Sequence, residues 1–330
     1  MSLLCESTFF RERHFPLNNI CYLSVGIVGN SDEKLFKGEF EVGDLLSDIR
    51  DDIHSKLYYE GKDVGKWRLL RERYIEYGTE RSPKKWRRKG FTELFEGSAK
   101  LVTMRSPGST PRTMLDTDNG YFNESAIGFK RWSDLRGVQN GSVSKAYQSE
   151  EERKDFEQLS EAYSYHLLLG IFNSSLIRYE LNTNRRSNIH IYPEDWKMLS
   201  IPNLTDDKNK EIADKLDGIV AIQITSNQQL QQKRQRFLHR LEESLGVQKI
   251  TAALERFDEA AFAALLAELK KQKISLTLTQ QDEWEDYFNQ YKADCNTLTA
   301  QIAATDKEID RMVYDLYGLT EDEIKVVEGE

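Results

Sequence analysis

Apolar positions recur at two different periods along this chain, and the change of period divides it. From about residue 206 they return every three or four places. Ile212, Leu216, Ile219, Leu230, Phe237, Leu241 and Leu245 predict one helix over 206–245, with Gly246 as its stop. Leu254, Phe257, Ala261, Leu265 and Leu269 predict a second over 251–272. Trp284, Phe288, Tyr291, Cys295, Leu298, Ile302, Thr305, Ile309, Val313 and Leu316 form a longer stripe whose steps mostly alternate four and three, as in a coiled-coil-like bundle. Thr279, with Asp282 three places on, is the expected N-cap of this third helix. Gly318 is its stop, and Thr320 with Glu323 makes a capping box for a short last helix.

Upstream of 206 the apolar runs are shorter. Residues 18–30 read as a strand running into a glycine turn, 101–104 as a buried strand, and 121–122, 126–129 and 189–192 as strand pieces. Residues 68–77 fit either helix or strand, and 151–181 keep helical spacing. Residues 81–90, 106–120 and 133–149 carry the polar and turn residues of loops. The predicted fold class is α+β: a mixed α/β domain over 1–204, then an all-helical bundle over 205–330 with long coiled-coil-like helices.

Hydrophobic residues make up 39% and charged residues 31% of the 330, the balance of a globular protein with a core. No run of 18 apolar residues predicts a membrane helix, and the first residues lack the basic-then-apolar order of a signal peptide. Cys5, Cys21 and Cys295 are scattered, without zinc-site spacing. The expected compartment is the cytoplasm, with no membrane partner.

The net charge of −9 hides an asymmetry. Residues 1–60, 146–205 and 206–330 each carry more acid than base, whereas 61–145 carry 18 basic against 10 acidic groups. One cationic surface on an acidic protein suits a polyanion. The densest part is 81–89, where Arg81, Lys84, Lys85, Arg87, Arg88 and Lys89 surround Trp86 with no acid between them. Lys84, Lys85, Arg87, Arg88 and Lys89 are the candidates for phosphate contacts. Arg105, Arg112, Lys130 and Arg131 sit near loop ends. Asn184, Arg185 and Arg186, followed by Asn188 and His190, form a second candidate reading loop. Arginine and lysine read guanine edges and asparagine reads adenine, so all seven are candidates for base or backbone contacts.

The motifs of catalysis do not assemble. There is no glycine-rich cofactor loop between a strand and an acidic residue, no phosphate loop and no Asn/Asp-Pro-Pro-Tyr tetrapeptide. Asp51 or Asp52 followed by Glu60-Gly61-Lys62 resembles the acid and acid-x-Lys set of metal-dependent nucleases, a short pattern that recurs by chance, as at Asp195-Trp196-Lys197. The chain is expected to have no catalytic or metal centre of its own.

Three segments carry a family resemblance. The stretch 308–328, with Asp310, Tyr314, Tyr317-Gly318 and Glu321, resembles the C-terminal signature of type IIG restriction–modification enzymes and related adenine-specific DNA methyltransferases. Leu169-Gly170-Ile171-Phe172-Asn173-Ser174 with Ile201-Pro202, and Tyr59-Glu60-Gly61-Lys62-Asp63-Val64, resemble parts of their TaqI-like specificity domains. The resemblance implies a target recognition domain followed by a helical spacer, with double-stranded DNA as partner. Methyl transfer would use S-adenosylmethionine in a methyltransferase domain or subunit outside this chain, and magnesium if a nuclease accompanies it. The chain would then be a fragment or a separate specificity subunit. The alternatives are a type I specificity subunit, a coiled-coil interaction protein, and a nuclease using Asp52, Glu60 and Lys62.

Overall fold

The computed structural model describes residues 14–108, 110–187 and 189–329, and among these the chain is α+β. Its strands are β1 (His14–Pro16), β2 (Cys21–Val25), β3 (Val28–Ser31), β4 (Leu46–Ser47), β5 (Lys56–Tyr59), β6 (Arg73–Ile75), β7 (Trp86–Arg88), β8 (Lys100–Met104), β9 (Thr113–Asp116), β10 (Tyr121–Phe122), β11 (Ala126–Arg131) and β12 (Ser200–Pro202). Its helices are α1 (Thr92–Phe95), α2 (Glu150–Ser160), α3 (Tyr165–Phe172), α4 (Ser175–Asn184), α5 (Pro193–Lys197), α6 (Asp207–Leu245), α7 (Ala252–Glu255), α8 (Phe262–Lys271), α9 (Leu278–Tyr317) and α10 (Glu321–Glu328). None of the described helices is long and apolar enough to cross a membrane.

Two compact units divide the chain, Met1–Val220 with Ile309–Glu330, and Ala221–Glu308. Ends of both long helices belong to the first unit. Gly170 in α3 lies so close to α6 that a Cβ on it would meet Val220 at 2.8 Å. Asp217 on α6 accepts from the Ser164 hydroxyl, and Asp310 on α9 accepts from the Ser175 backbone N–H at 2.7 Å and from its hydroxyl at 2.8 Å.

In the first unit an antiparallel sheet, ordered β2-β11-β8-β9, is buried on both faces. Phe129 on β11 packs against Phe172 of α3 and Trp196 of α5, with centroids 5.0 and 5.1 Å away. The opposite face meets an aromatic cluster that includes Tyr22, Phe95, Tyr121, Phe122 and Trp132. Gly128, on that face, has no room for a side chain: a Cβ would meet the Phe122 ring at 2.4 Å. A second sheet, β10-β5-β6-β4, carries a parallel β10–β5 pair, and β3–β7 and β1–β12 are two-stranded ladders. The helix expected over 151–181 is three helices, since Ser164 and Ser174 each accept a backbone N–H and start a new one.

The second unit is an antiparallel helix pair closed by shorter helices. Gln223 Nε2 donates to Ile302 O at 3.1 Å, Lys233 pairs with Asp294 at 2.5 Å, and Phe237 meets Phe288 at 6.0 Å between centroids, so α9 descends as α6 climbs. The segment expected as one helix over 251–272 breaks into α7, a 3-10 turn at Phe257–Glu259 and α8. The break lets Phe257 stack on Phe237 at 3.9 Å. Thr277, not Thr279, caps α9.

Candidate nucleic-acid interface

The eight-residue hairpin loop 105–112 leaves the end of β8 and returns in β9, with Met104 N–H bonded to the Arg112 carbonyl at 3.3 Å. Loop 185–191 follows α4 and lies alongside it. Ile191 donates its N–H to Arg105 O at 2.8 Å, Arg185 Nη1 donates to Gly108 O at 2.8 Å, and Ser106 Oγ lies 2.6 Å from His190 Nδ1. Arg105 stacks over the Tyr192 ring at 4.9 Å. Two segments singled out separately in the sequence thus form one paired-loop edge. The strand expected over 189–192 is instead this loop, because its backbone bonds go to the 105–112 segment at a single point rather than along a ladder.

The edge is cationic but not uniformly so. Arg112 is exposed and makes no ion pair among the described residues. Arg186 is 66% exposed, with Asp195 at 3.5 Å. Arg105 and Arg185 each keep Nε buried without a hydrogen-bond partner. A buried unsatisfied donor costs about 1–3 kcal/mol, so these two guanidiniums are held in place at some expense to folding. Asn184 points back to Glu180, donating to Oε2 at 2.8 Å, which ties its amide to its own helix. Asn188 lies outside the described residues.

A further element belongs to this edge and gave no sequence signal. Trp67 donates its N–H to Thr113 O at 3.0 Å, which places the turn 65–68, with Lys66 and Arg68, beside the start of β9. Trp67 is buried yet adopts φ 74°, a left-handed conformation that is rare for a bulky side chain and costs about 1–3 kcal/mol. Only backbone geometry reveals it.

The basic segment 81–89 is partly neutralised. Its polar run predicts a loop, but residues 86–88 are β7, an edge strand on β3 anchored inward by buried Trp86. Arg81 is paired with Glu76 at 2.6 Å, Lys85 with Glu39 at 2.6 Å and Arg87 with Glu33 at 3.3 Å. The Arg87 pair is exposed on both sides, and such pairs are worth roughly 0–1 kcal/mol, so a phosphate could displace Glu33. Lys84 and Lys89 are exposed without an ion pair among the described residues. Arg88 donates to Ser24 Oγ at 3.2 Å. Ser24 is in register with Gly128 and, through it, with Val102 on β8, two strand spacings or about 10 Å away.

Two expected contact residues leave the set. Lys130 is fully buried in β11; its Nζ donates to Ser98 O at 2.7 Å and Ser98 Oγ at 2.6 Å, and burial with Lys100 nearby pushes its ammonium down to about 8. Arg131 is bound by Asp134 at 2.9 Å and lies over the Tyr165 ring, so its charge is spent inside the fold. Burial alone would lower its pKa, and the Asp134 carboxylate more than reverses this.

The nuclease-like triplet is built into a turn. Glu60 Oε2 lies 2.6 Å from Lys62 and 3.3 Å from Arg73, whose guanidinium also binds Asp63. Burial raises the Glu60 carboxyl, but Lys62 and Arg73 together bring it below the ordinary range. Gly61 has no space for a Cβ, which would sit 2.1 Å from Ser125 O. No group of three His, Cys, Asp or Glu side chains is placed to hold a metal ion among the described residues.

A family model described as a domain of unknown function (DUF8810) matches residues 206–313. That stretch runs from the start of α6 into the last turns of α9 and contains the whole second unit. No curated protein matches the chain.

Proposed function

We propose that the chain is the sequence-reading part of a DNA-modifying enzyme, a double-stranded-DNA recognition module of the type IIG restriction–modification or adenine-N6 methyltransferase kind. The α/β portion would be the target recognition domain, and the long helices the spacer to a catalytic part elsewhere. S-adenosylmethionine, and magnesium where cleavage accompanies methylation, would belong to that catalytic part. The observation that carries the reading is the convergence of loops 105–112 and 185–191, which gathers Arg105, Arg112, Arg185 and Arg186 on one edge through three cross-loop contacts. Guanidinium groups set on a braced pair of loops suit base edges and phosphates together. Lys84, Arg88 and Lys89 would add phosphate contacts without sequence information.

The test is binding of a random-core 24-base-pair duplex library across a salt series, by fluorescence anisotropy. The expected result is an affinity that falls linearly with the logarithm of salt and selection of a motif over successive rounds. Replacing Arg105, Arg112, Arg185 and Arg186 together by Gln should abolish the motif. Undetectable binding at low salt, or equal displacement by polyglutamate, would defeat the proposal.

A further inference from the structure

Most large apolar side chains among the described residues are covered, but Ile189 is 68% exposed, and it stands inside the paired cationic loops. Its exposure is built rather than incidental. Ser187 Oγ accepts the N–H groups of both Ile189 and His190, at 3.2 and 3.3 Å. The His190 ring is tied to Ser106, and Ile191, which is fully buried, is bonded through its N–H to Arg105. The segment therefore sends Ile191 into the core and holds Ile189 out, with Arg185 and Arg186 preceding it and Arg105 alongside.

We propose that Ile189 is the apolar base contact of this edge, covering the C5-methyl group of a thymine in the major groove while the neighbouring arginines hold phosphates or guanine edges. The assignment rests on the DNA-recognition reading above. Thymine alone among the bases presents a methyl group in the major groove, and an aliphatic side chain is its natural complement. One branched side chain bracketed by polar Ser187 and His190 is suited to touch a base edge. Unstacking a base step would instead need a side chain driven into the helix past its own flanking cations.

The test uses the full chain and the duplex it selects from the random-core library, remade with deoxyuridine in place of each thymine in turn. Removal of one covered methyl should weaken wild-type binding about fourfold at one position. Ile189→Ala should lose a similar factor and then be indifferent to uracil there, so that the two changes are not additive. Leu35→Ala, at another exposed apolar position, should retain the uracil effect. A wild type that selects a motif but is indifferent to uracil at every position overturns the role of Ile189 and leaves the recognition reading standing. Additive losses overturn it equally, as does fluorescence of a 2-aminopurine probe rising on binding in wild type but not in Ile189→Ala, the signature of an unstacking wedge. A wild type that binds no duplex overturns both.

Discussion

Arg185 Nη1 donates to the carbonyl oxygen of Gly108 at 2.8 Å, and this one bond joins segments 77 positions apart. It makes the guanidinium a brace as well as a charge. Arg185→Lys keeps the charge but replaces a planar fork with a point donor on a different stem. The expected outcome is a salt slope of duplex binding close to wild type, a weaker selected motif, and faster amide exchange in 105–108. Hydrogen exchange followed by mass spectrometry measures the last. Unchanged exchange would mean that the loops are held together without this bond.

Exposed and buried cations should separate cleanly in a salt titration. Arg112 and Arg186 lie at the surface, so replacing either by Ala should reduce the slope of log affinity against log salt by about 1. Arg131 is occupied by Asp134, and Arg131→Gln should leave the slope unaltered while lowering stability by roughly 1–3 kcal/mol, since Asp134 loses its cationic partner and keeps only the Tyr165 hydroxyl at 2.8 Å. A slope change with Arg131→Gln equal to that with Arg112→Ala would return Arg131 to the contact surface.

Gly61 tests the two meanings of the Glu60-Gly61-Lys62 triplet. Its Cβ-less backbone packs on Ser125 O, and its own N–H donates to Ser125 Oγ at 2.7 Å. Gly61→Ala must push backbone from backbone, at a cost of roughly 1–3 kcal/mol. Urea denaturation should show that loss. Glu60→Ala should also destabilise, because Arg73 and Lys62 lose a shared carboxylate. Magnesium-dependent plasmid cutting that disappears in Glu60→Ala while stability is retained would instead restore the nuclease alternative.

The helical part was legible because a three-and-four period is a local property: the ends found at Leu245 and Tyr317 coincide with the glycine stops read at 246 and 318. The cationic surface was legible only in part. Lys130 gives no sign of its burial because β11 is buried on both faces, so alternation does not mark a lysine there as inward; Ser98, 32 positions away, receives its ammonium. Lys85 and Arg87 stand in a run without acids, yet their partners Glu39 and Glu33 arrive from the segments around β3, which pairs with β7. Local sequence cannot show which distant carboxylate folds onto a cation. The joining of loops 105–112 and 185–191, and the strained Trp67, were invisible for the same reason.

Lys130 also sets a prediction about pH. Its ammonium is buried and held down to about 8, against an ordinary lysine value of 10.5. Below about pH 8 it is charged in both folded and unfolded chains and contributes no slope. Between about 8 and 10.5 the unfolded chain binds a proton that the folded chain has released. Unfolding free energy therefore rises with pH in that window, by about 1.4 kcal/mol per unit from this group alone. Lys130→Met removes the titration while filling a similar volume. The other alkaline groups largely cancel when the two proteins are compared at each pH. Urea denaturation at pH 7, 8, 9 and 10 should thus show the difference flat from 7 to 8, then moving in favour of wild type by roughly 2–3 kcal/mol by pH 10. A difference that stays flat to pH 10 would mean that Ser98 and the Glu96 carbonyl solvate the ammonium as well as water does. Duplex binding at neutral pH should be the same in both proteins, because a side chain with no exposed surface cannot meet a phosphate.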